Sequence, residues 1–178
     1  MKLLIASDIH GSFDEAELLM KRYKEEGAQR LLLCGDLQCA GPGRFLAAEM
    51  LNTRAAEIWC VLGNCDAPWD QDFYDFPMTQ ESLLIPFEGR LLFASHGHIW
   101  GPDHLPHGCA ADLIFCGHTH VPCIEKLSSG AYFCNPGSVS RPRGGSVKSY
   151  ALLDGDELQL KALISGRAYE RVLLPPVE

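Results

Sequence analysis

Five times along this chain an apolar run that reads as a strand stops at residues able to hold a metal ion. Ile5-Ala6-Ser7 meets Asp8-Ile9-His10-Gly11, Leu31-Leu32-Leu33-Cys34 meets Gly35-Asp36, and Ile58-Trp59-Cys60-Val61-Leu62 meets Gly63-Asn64-Cys65-Asp66. Further on, Leu91-Leu92-Phe93-Ala94 meets Ser95-His96-Gly97-His98, and Leu113-Ile114-Phe115-Cys116 meets Gly117-His118-Thr119-His120. Short apolar runs bounded by glycine are the pattern of strands buried on both faces. In sheets of that kind ligands gather beyond the carboxyl ends of the strands. Convergence of the five ends predicts one site with about seven Asp, His and Asn donors.

The residues between the runs predict how those ends are brought together. Residues 2–7 read as a buried strand. Over 13–26, Ala16, Leu19, Met20 and Tyr23 recur at helical spacing with charged residues opposite. Ser12 and Glu15 have the spacing of a capping box, and Gly27 is a natural stop. A strand over 30–34, a break at Gly41-Pro42-Gly43, a helix over 44–53 and a strand over 57–62 complete a β-α-β-α-β unit of the parallel-sheet kind. Residues 67–80 are irregular and rich in Asp, Phe and Pro. Strands over 82–87 and 90–95 flank a hairpin signal at Glu88-Gly89. Strands over 112–116, 122–127 and 131–134 follow. Asn135-Pro136-Gly137-Ser138 and Arg143-Gly144-Gly145 then mark a long loop, and Gly155-Asp156 joins strands over 150–153 and 157–163. The expectation is two sheets packed face to face with helices outside, in a single domain spanning 1–178.

Composition narrows the function classes. A chain of 178 residues can bury a sizeable core. A net charge of −8 disfavours bulk nucleic-acid binding, which needs clustered Lys and Arg. The eight cysteines include no Cys-x-x-Cys, and Cys34, Cys60 and Cys116 sit inside apolar runs. With Met1-Lys2 leading straight into a strand, free thiols and a reducing cytoplasm are expected. No apolar stretch reaches the ~20 residues of a membrane span.

Each candidate donor has an ordinary alternative. Asp-x-His is common in surface loops, Gly-Asp can be a turn or cap, and Gly-Asn is a turn signal. The histidines carry more weight. Five of the seven lie at His10, His96, His98, His118 and His120. Each His-x-His pair can face one cleft, because residues two apart in an extended segment share a side. Core packing does not explain them, since a buried imidazole needs polar partners. His104 and His107 fall in a loop containing Pro and Gly and read as solvated.

Taken in order, Asp8-x-His10, Gly35-Asp36, Gly63-Asn64-Cys65-Asp66, His96-Gly97-His98 and Gly117-His118-x-His120 resemble the signature of the calcineurin-like metallophosphoesterase family. The resemblance runs from Met1 to about Asp154. Ser7 to Ser12, Gly63 to Asp66 and Asn135 to Ser140 are similar in particular to small bacterial and archaeal phosphodiesterases of the YfcE type. It implies an α/β fold, a four-layer α/β/β/α sandwich of two packed mixed sheets. It also implies two ion sites: Asp8, His10, Asp36 and His120 for the first, and Asp36, Asn64, His96 and His118 for the second, with Asp36 bridging. His98 is then expected to face substrate rather than a metal. The implied metal is Mn, with Fe, Co, Ni or Zn as further candidates.

Two such ions ~3.5–4 Å apart activate a bridging hydroxide for in-line attack on a phosphodiester and clamp the phosphoryl group. Asp36, Asn64, His98 and Cys65 are the candidate catalytic residues. Many family members carry His where this chain has Cys65. A thiol hydrogen-bonds weakly, so Cys65 reads as a residue shaping the pocket, with departure of the leaving group weakly assisted. Arg141 and Arg143 fit either a phosphate contact or a solvated loop. Trp69, Phe73, Tyr74 and Phe76 fit a cleft cover, a subunit contact or the core. The expected partner is a small-molecule phosphodiester, with a homo-oligomer, dimer or tetramer, implied by the resemblance. The alternatives are a phosphomonoesterase and a metal-binding protein-interaction scaffold of the retromer-subunit type.

Overall fold

A computed structural model describes residues 1–38 and 43–177. The expected break at Gly41-Pro42 lies outside the described residues. β1 (Lys2–Ala6) leads through a loop into α1 (Phe13–Glu26), followed by β2 (Arg30–Leu33), α2 (Arg44–Asn52) and β3 (Ile58–Cys60). β4 (Ser82–Phe87), β5 (Arg90–Ser95), β6 (Leu113–Phe115), β7 (Cys123–Lys126) and β8 (Tyr132–Asn135) come next. β9 (Ser149–Asp154), β10 (Glu157–Ala162) and β11 (Ala168–Leu173) end the described chain.

The strands form a six-stranded sheet, β11-β10-β9-β1-β2-β3, and a five-stranded sheet, β4-β5-β6-β8-β7. Both are mixed. Within each, three adjacent strands run parallel: β1, β2 and β3 in the first, β5, β6 and β8 in the second. These are the strands whose carboxyl ends carry the polar motifs.

Alternation along the strands divides the core into layers. Leu4, Ala6, Leu31 and Leu33 pack with Leu19 of α1 and Leu51 of α2 on one face of the first sheet. Leu3, Ile5 and Leu32 point the other way, onto Leu92, Leu113 and Phe115 of the second sheet. On that sheet's outer face, Phe93, Ile114 and Phe133 are covered by Trp100, Leu105 and Cys109. The fourth layer therefore comes from the irregular 97–111 segment rather than from a helix.

Local signals account for most boundaries. Gly27 takes a left-handed φ of 65° and its N–H reaches the Lys24 carbonyl, ending α1. Ser12 occupies the N-cap, but its hydroxyl bonds the Glu15 side chain instead of a backbone N–H, so the expected capping box does not form. Glu88 and Gly89, with φ of 49° and 80°, make the β4–β5 hairpin turn. Three elements lie outside the sequence expectation, the first of them a 3-10 turn over Ala55–Glu57 before β3. Pro68–Phe73 is a 3-10 turn inside the segment read as irregular, and β11 is an edge strand after the last expected one. Tyr74 and Phe76 are core residues, while Trp69 is 73% exposed.

Candidate metal centre

Backbone pairing persists beyond the strand ends and fixes the loops that follow. Asp8 N–H donates to the Gly35 carbonyl, His10 N–H to that of Asp36, and Gly11 N–H to that of Leu37. The loops after β1 and β2 thus run side by side. Gly117 N–H bonds the His96 carbonyl, aligning the loops after β5 and β6. The two sheets are tied together here as well. His118 N–H donates to Asp8 Oδ2 at 3.2 Å, and the Ser138 and Ser140 hydroxyls donate to the Asp8 carbonyl at 2.9 and 3.0 Å. Close approach requires glycine at Gly63, where a Cβ would fall on Asp36, and at Gly117, where it would fall on Ser7 and Asp8.

Seven expected donors come together. Asp8, His10, Asp36, His96 and His120 are buried, whereas Asn64 and His118 are exposed. In the buried half, one donor atom from each of Asp8, His10, Asp36 and His120 lies within 4.8 Å of the others. His120 Nε2 is 3.0 Å from Asp8 Oδ1 and 3.4 Å from His10 Nε2, and His10 Nε2 is 3.8 Å from Asp36 Oδ2. In the open half, His96 Nε2 is 3.0 Å from Asn64 Oδ1 and 3.4 Å from Asp36 Oδ1. His118 Nδ1 is 2.8 Å from the same Asn64 oxygen. Asp36 turns one carboxylate oxygen toward each half.

Two imidazoles are oriented from behind. His96 Nδ1 lies 2.7 Å from the Cys34 carbonyl, and His120 Nδ1 lies 2.6 Å from that of Arg141. Each Nδ1 must donate there, which leaves the Nε2 lone pair facing inward. Inward-facing lone pairs and carboxylate oxygens repel one another unless a positive charge lies among them. Asp8 Oδ1 is buried without a hydrogen-bond partner among the described residues, its contact with His120 Nε2 lying outside hydrogen-bonding geometry. A divalent cation satisfies such an acceptor-rich set, and imidazole with carboxylate is borderline-metal chemistry. The residues fit the metal the family implies.

The same crowding of acceptors shows in their proton affinities, which favour a neutral Asp8 and a charged His96, protons that a bound cation would displace. Burial pushes the Asp8 carboxyl up, toward the neutral form. Burial acts the same way on Asp36, but hydrogen bonding from His96 and the charge of that ring overcome it and hold Asp36 below the usual carboxylate range. His96 is raised in return, because the Asp36 carboxylate outweighs the effect of burial. Burial lowers His10 to about 4, keeping it neutral as a ligand must be.

Other candidates are placed at the periphery. His98 is exposed, its ring centre 5.3 Å from that of His96 and 6.1 Å from that of His118. Cys65 is exposed beside Asn64, and its backbone N–H donates to Asp36 Oδ1 at 2.8 Å. His104 stacks on Trp100, and His107 is exposed in the same loop. Sequence reasoning did not single out the Cys34 and Arg141 carbonyls, Ser138, Ser140 or Asn135, whose amide donates to the Gly117 carbonyl. The Asn135-Pro136-Gly137-Ser138 cluster was visible as a loop signal and as part of the family resemblance, but neither assigned these contacts.

Comparison with known proteins bears on this geometry. The family described as Calcineurin-like phosphoesterase superfamily domain matches residues 1–158. Phosphodiesterase YfcE of Escherichia coli (strain K12) is 39% identical over 184 residues, covering 99% of this chain and 100% of that protein. The solved structure of YfcE, a phosphoesterase from E. coli, superposes with a TM-score of 0.91 at 37% identity, over 98% of this chain and 100% of that one. Zinc-complexed Vps29 from Entamoeba histolytica shares the fold, with a TM-score of 0.65 at 22% identity over 97% of this chain and 99% of that one. The ordered motifs, the two mixed sheets and these matches together make the chain a member of the calcineurin-like phosphoesterase superfamily.

Proposed function

We propose that this metal-dependent phosphoesterase hydrolyses small phosphodiesters, with water attacking phosphorus in line with the departing oxygen. The observation that carries the reading is the convergence of acceptor atoms from Asp8, His10, Asp36, Asn64, His96, His118 and His120 at the carboxyl ends of both parallel triads. Two divalent cations would be held, one by Asp8, His10, Asp36 and His120 and one by Asp36, Asn64, His96 and His118. When bound, such a pair supplies an acidified water and offsets charge on the non-bridging phosphoryl oxygens. Mn is the proposed metal, on the family resemblance.

The residues around the centre have distinct tasks. The Cys34 and Arg141 carbonyls fix the tautomers of His96 and His120. Asn64 contributes an oxygen without a charge. Among the seven candidate ligands only Asp8 and Asp36 bring negative charge, so two divalent cations leave an excess of about two positive charges on the ligand set. One attacking anion and one diester charge balance that excess, whereas a phosphomonoester dianion exceeds it. His98 is the exposed imidazole available to the substrate, and Cys65 lines the wall beside Asn64. A homo-oligomer belongs to the proposal on the resemblance. A reducing cytoplasm belongs to it too, supported by cysteines that form no disulfide among the described residues.

Parallel assays of bis-p-nitrophenyl phosphate and p-nitrophenyl phosphate with added Mn test the reading. We expect kcat/KM for the diester to exceed that for the monoester by at least about tenfold. The reverse preference points to a phosphomonoesterase, and no hydrolysis of either in Mn, Co, Ni or Zn points to a scaffold.

A further inference from the structure

We infer that Asp66 is a positioning residue that holds the open half of the metal centre, Asn64 with its side of Asp36, without touching metal or substrate. The inference rests on the metal-binding reading above. Asp66 is buried at the far end of the loop that carries Asn64. Its Oδ2 accepts the Gly63 N–H at 2.9 Å, closing that loop on itself around Asn64. Its Oδ1 accepts the Gln38 N–H at 2.8 Å, reaching across to the loop that carries Asp36. Asp36 makes the opposite link, accepting the Cys65 N–H at 2.8 Å. Two carboxylates thus lace the two loops together, each taking a backbone N–H from the other's loop.

The lacing matters because little else fixes Asn64. The residue is exposed, and its amide oxygen faces His96 and His118, both themselves candidate ligands. The buried half is held differently. Asp8, His10 and His120 are anchored by the Gly35, Asp36 and Arg141 carbonyls and by the Ser138 and Ser140 hydroxyls. Removing Asp66 should therefore weaken one half of the centre and spare the other. Groups that orient ligands from behind typically contribute 10–100-fold in metal affinity.

The test is equilibrium binding of Mn to metal-stripped wild type, Asp66→Asn and Asp66→Glu, with thermal unfolding and amide exchange of Gly63 and Gln38 measured alongside. Wild type binding fewer than two Mn ions would count against the metal-centre reading itself. Given two, Asp66→Asn is expected to bind one equivalent within about threefold of wild-type affinity and the other 10–100-fold more weakly, with faster exchange at both amides. Asp66→Glu keeps the carboxylate and is expected to recover most of the second equivalent. Three results overturn the inference: both equivalents retained in Asp66→Asn, both lost together, or Asp66→Glu no better than Asp66→Asn. A purely structural role would lower the unfolding temperature and weaken both equivalents alike.

Discussion

Asp8, His10, Asp36, His118 and His120 all have φ between 50° and 67°, and the remaining left-handed non-glycine among the described residues is Glu88 in its hairpin turn. For residues with a Cβ this backbone costs about 1–2 kcal/mol each. The site is therefore strained and relies on the surrounding hydrogen bonds and on close glycine contacts. Gly117→Ala, whose Cβ meets Ser7 and Asp8, is predicted to destabilise the protein by more than about 2 kcal/mol and to abolish Mn binding, checked by urea unfolding and dialysis. His10 gives a pH signature. Its pKa is lowered to about 4 by burial, so the unfolded chain binds its proton first as pH falls. The His10 contribution to stability is complete above about pH 6.5 and is lost toward pH 4. Metal-free wild type should lose roughly 3 kcal/mol more over that interval than His10→Gln. Cys65 lacks the strong proton donor that a histidine would offer. Rates for a series of aryl diesters should accordingly fall steeply with leaving-group pKa, and a flat dependence would contradict the pocket-shaping role. The seven candidate donors that the fold brings together were legible in the sequence, because Asp, Asn and His ended apolar runs. The strain was not, because only glycine announces a left-handed backbone and here Asp and His adopt it.

Parallel triads in both sheets explain why motifs far apart in sequence meet. Each apolar run delivers its last residue to the same edge of the sandwich. Alternation and glycine punctuation made β1 to β10, α1 and α2 readable to within a residue or two at their ends. β11 carried no such signal. Its residues alternate between half-buried and exposed with Glu170 and Arg171 in the middle, and its place is set by pairing with β10 across a bulge. The loop covering the outer face of the second sheet was equally silent, since Gly101-Pro102, Pro106 and Gly108 interrupt any periodicity among Trp100, Leu105 and Cys109. Core position decides how substitutions in these elements act. Leu51→Ala, fully buried between α2 and the first sheet, should cost about 2–5 kcal/mol. Leu173→Ala on β11, 78% exposed, should stay within about 0.5 kcal/mol. Denaturant midpoints compare the two directly.

Across the whole molecule, the chain builds a centre that is acidic and acceptor-rich in a protein whose net charge is −8. Metal should therefore contribute to stability as well as to chemistry. Mn at a hundred times its dissociation constant is predicted to stabilise the fold by about 2.7 kcal/mol per site, and chelation should reverse the gain, seen as a shift in unfolding temperature. Asp36 joins the centre, its two oxygens facing the two halves. The measurement is hydrolysis of bis-p-nitrophenyl phosphate by metal-stripped wild type and Asp36→Asn, before and after Mn is restored. Activity that returns with Mn in wild type and stays at least about 10²-fold lower in Asp36→Asn is the predicted result. Equal activity in the two proteins, or none in a folded and Mn-loaded wild type, would contradict it.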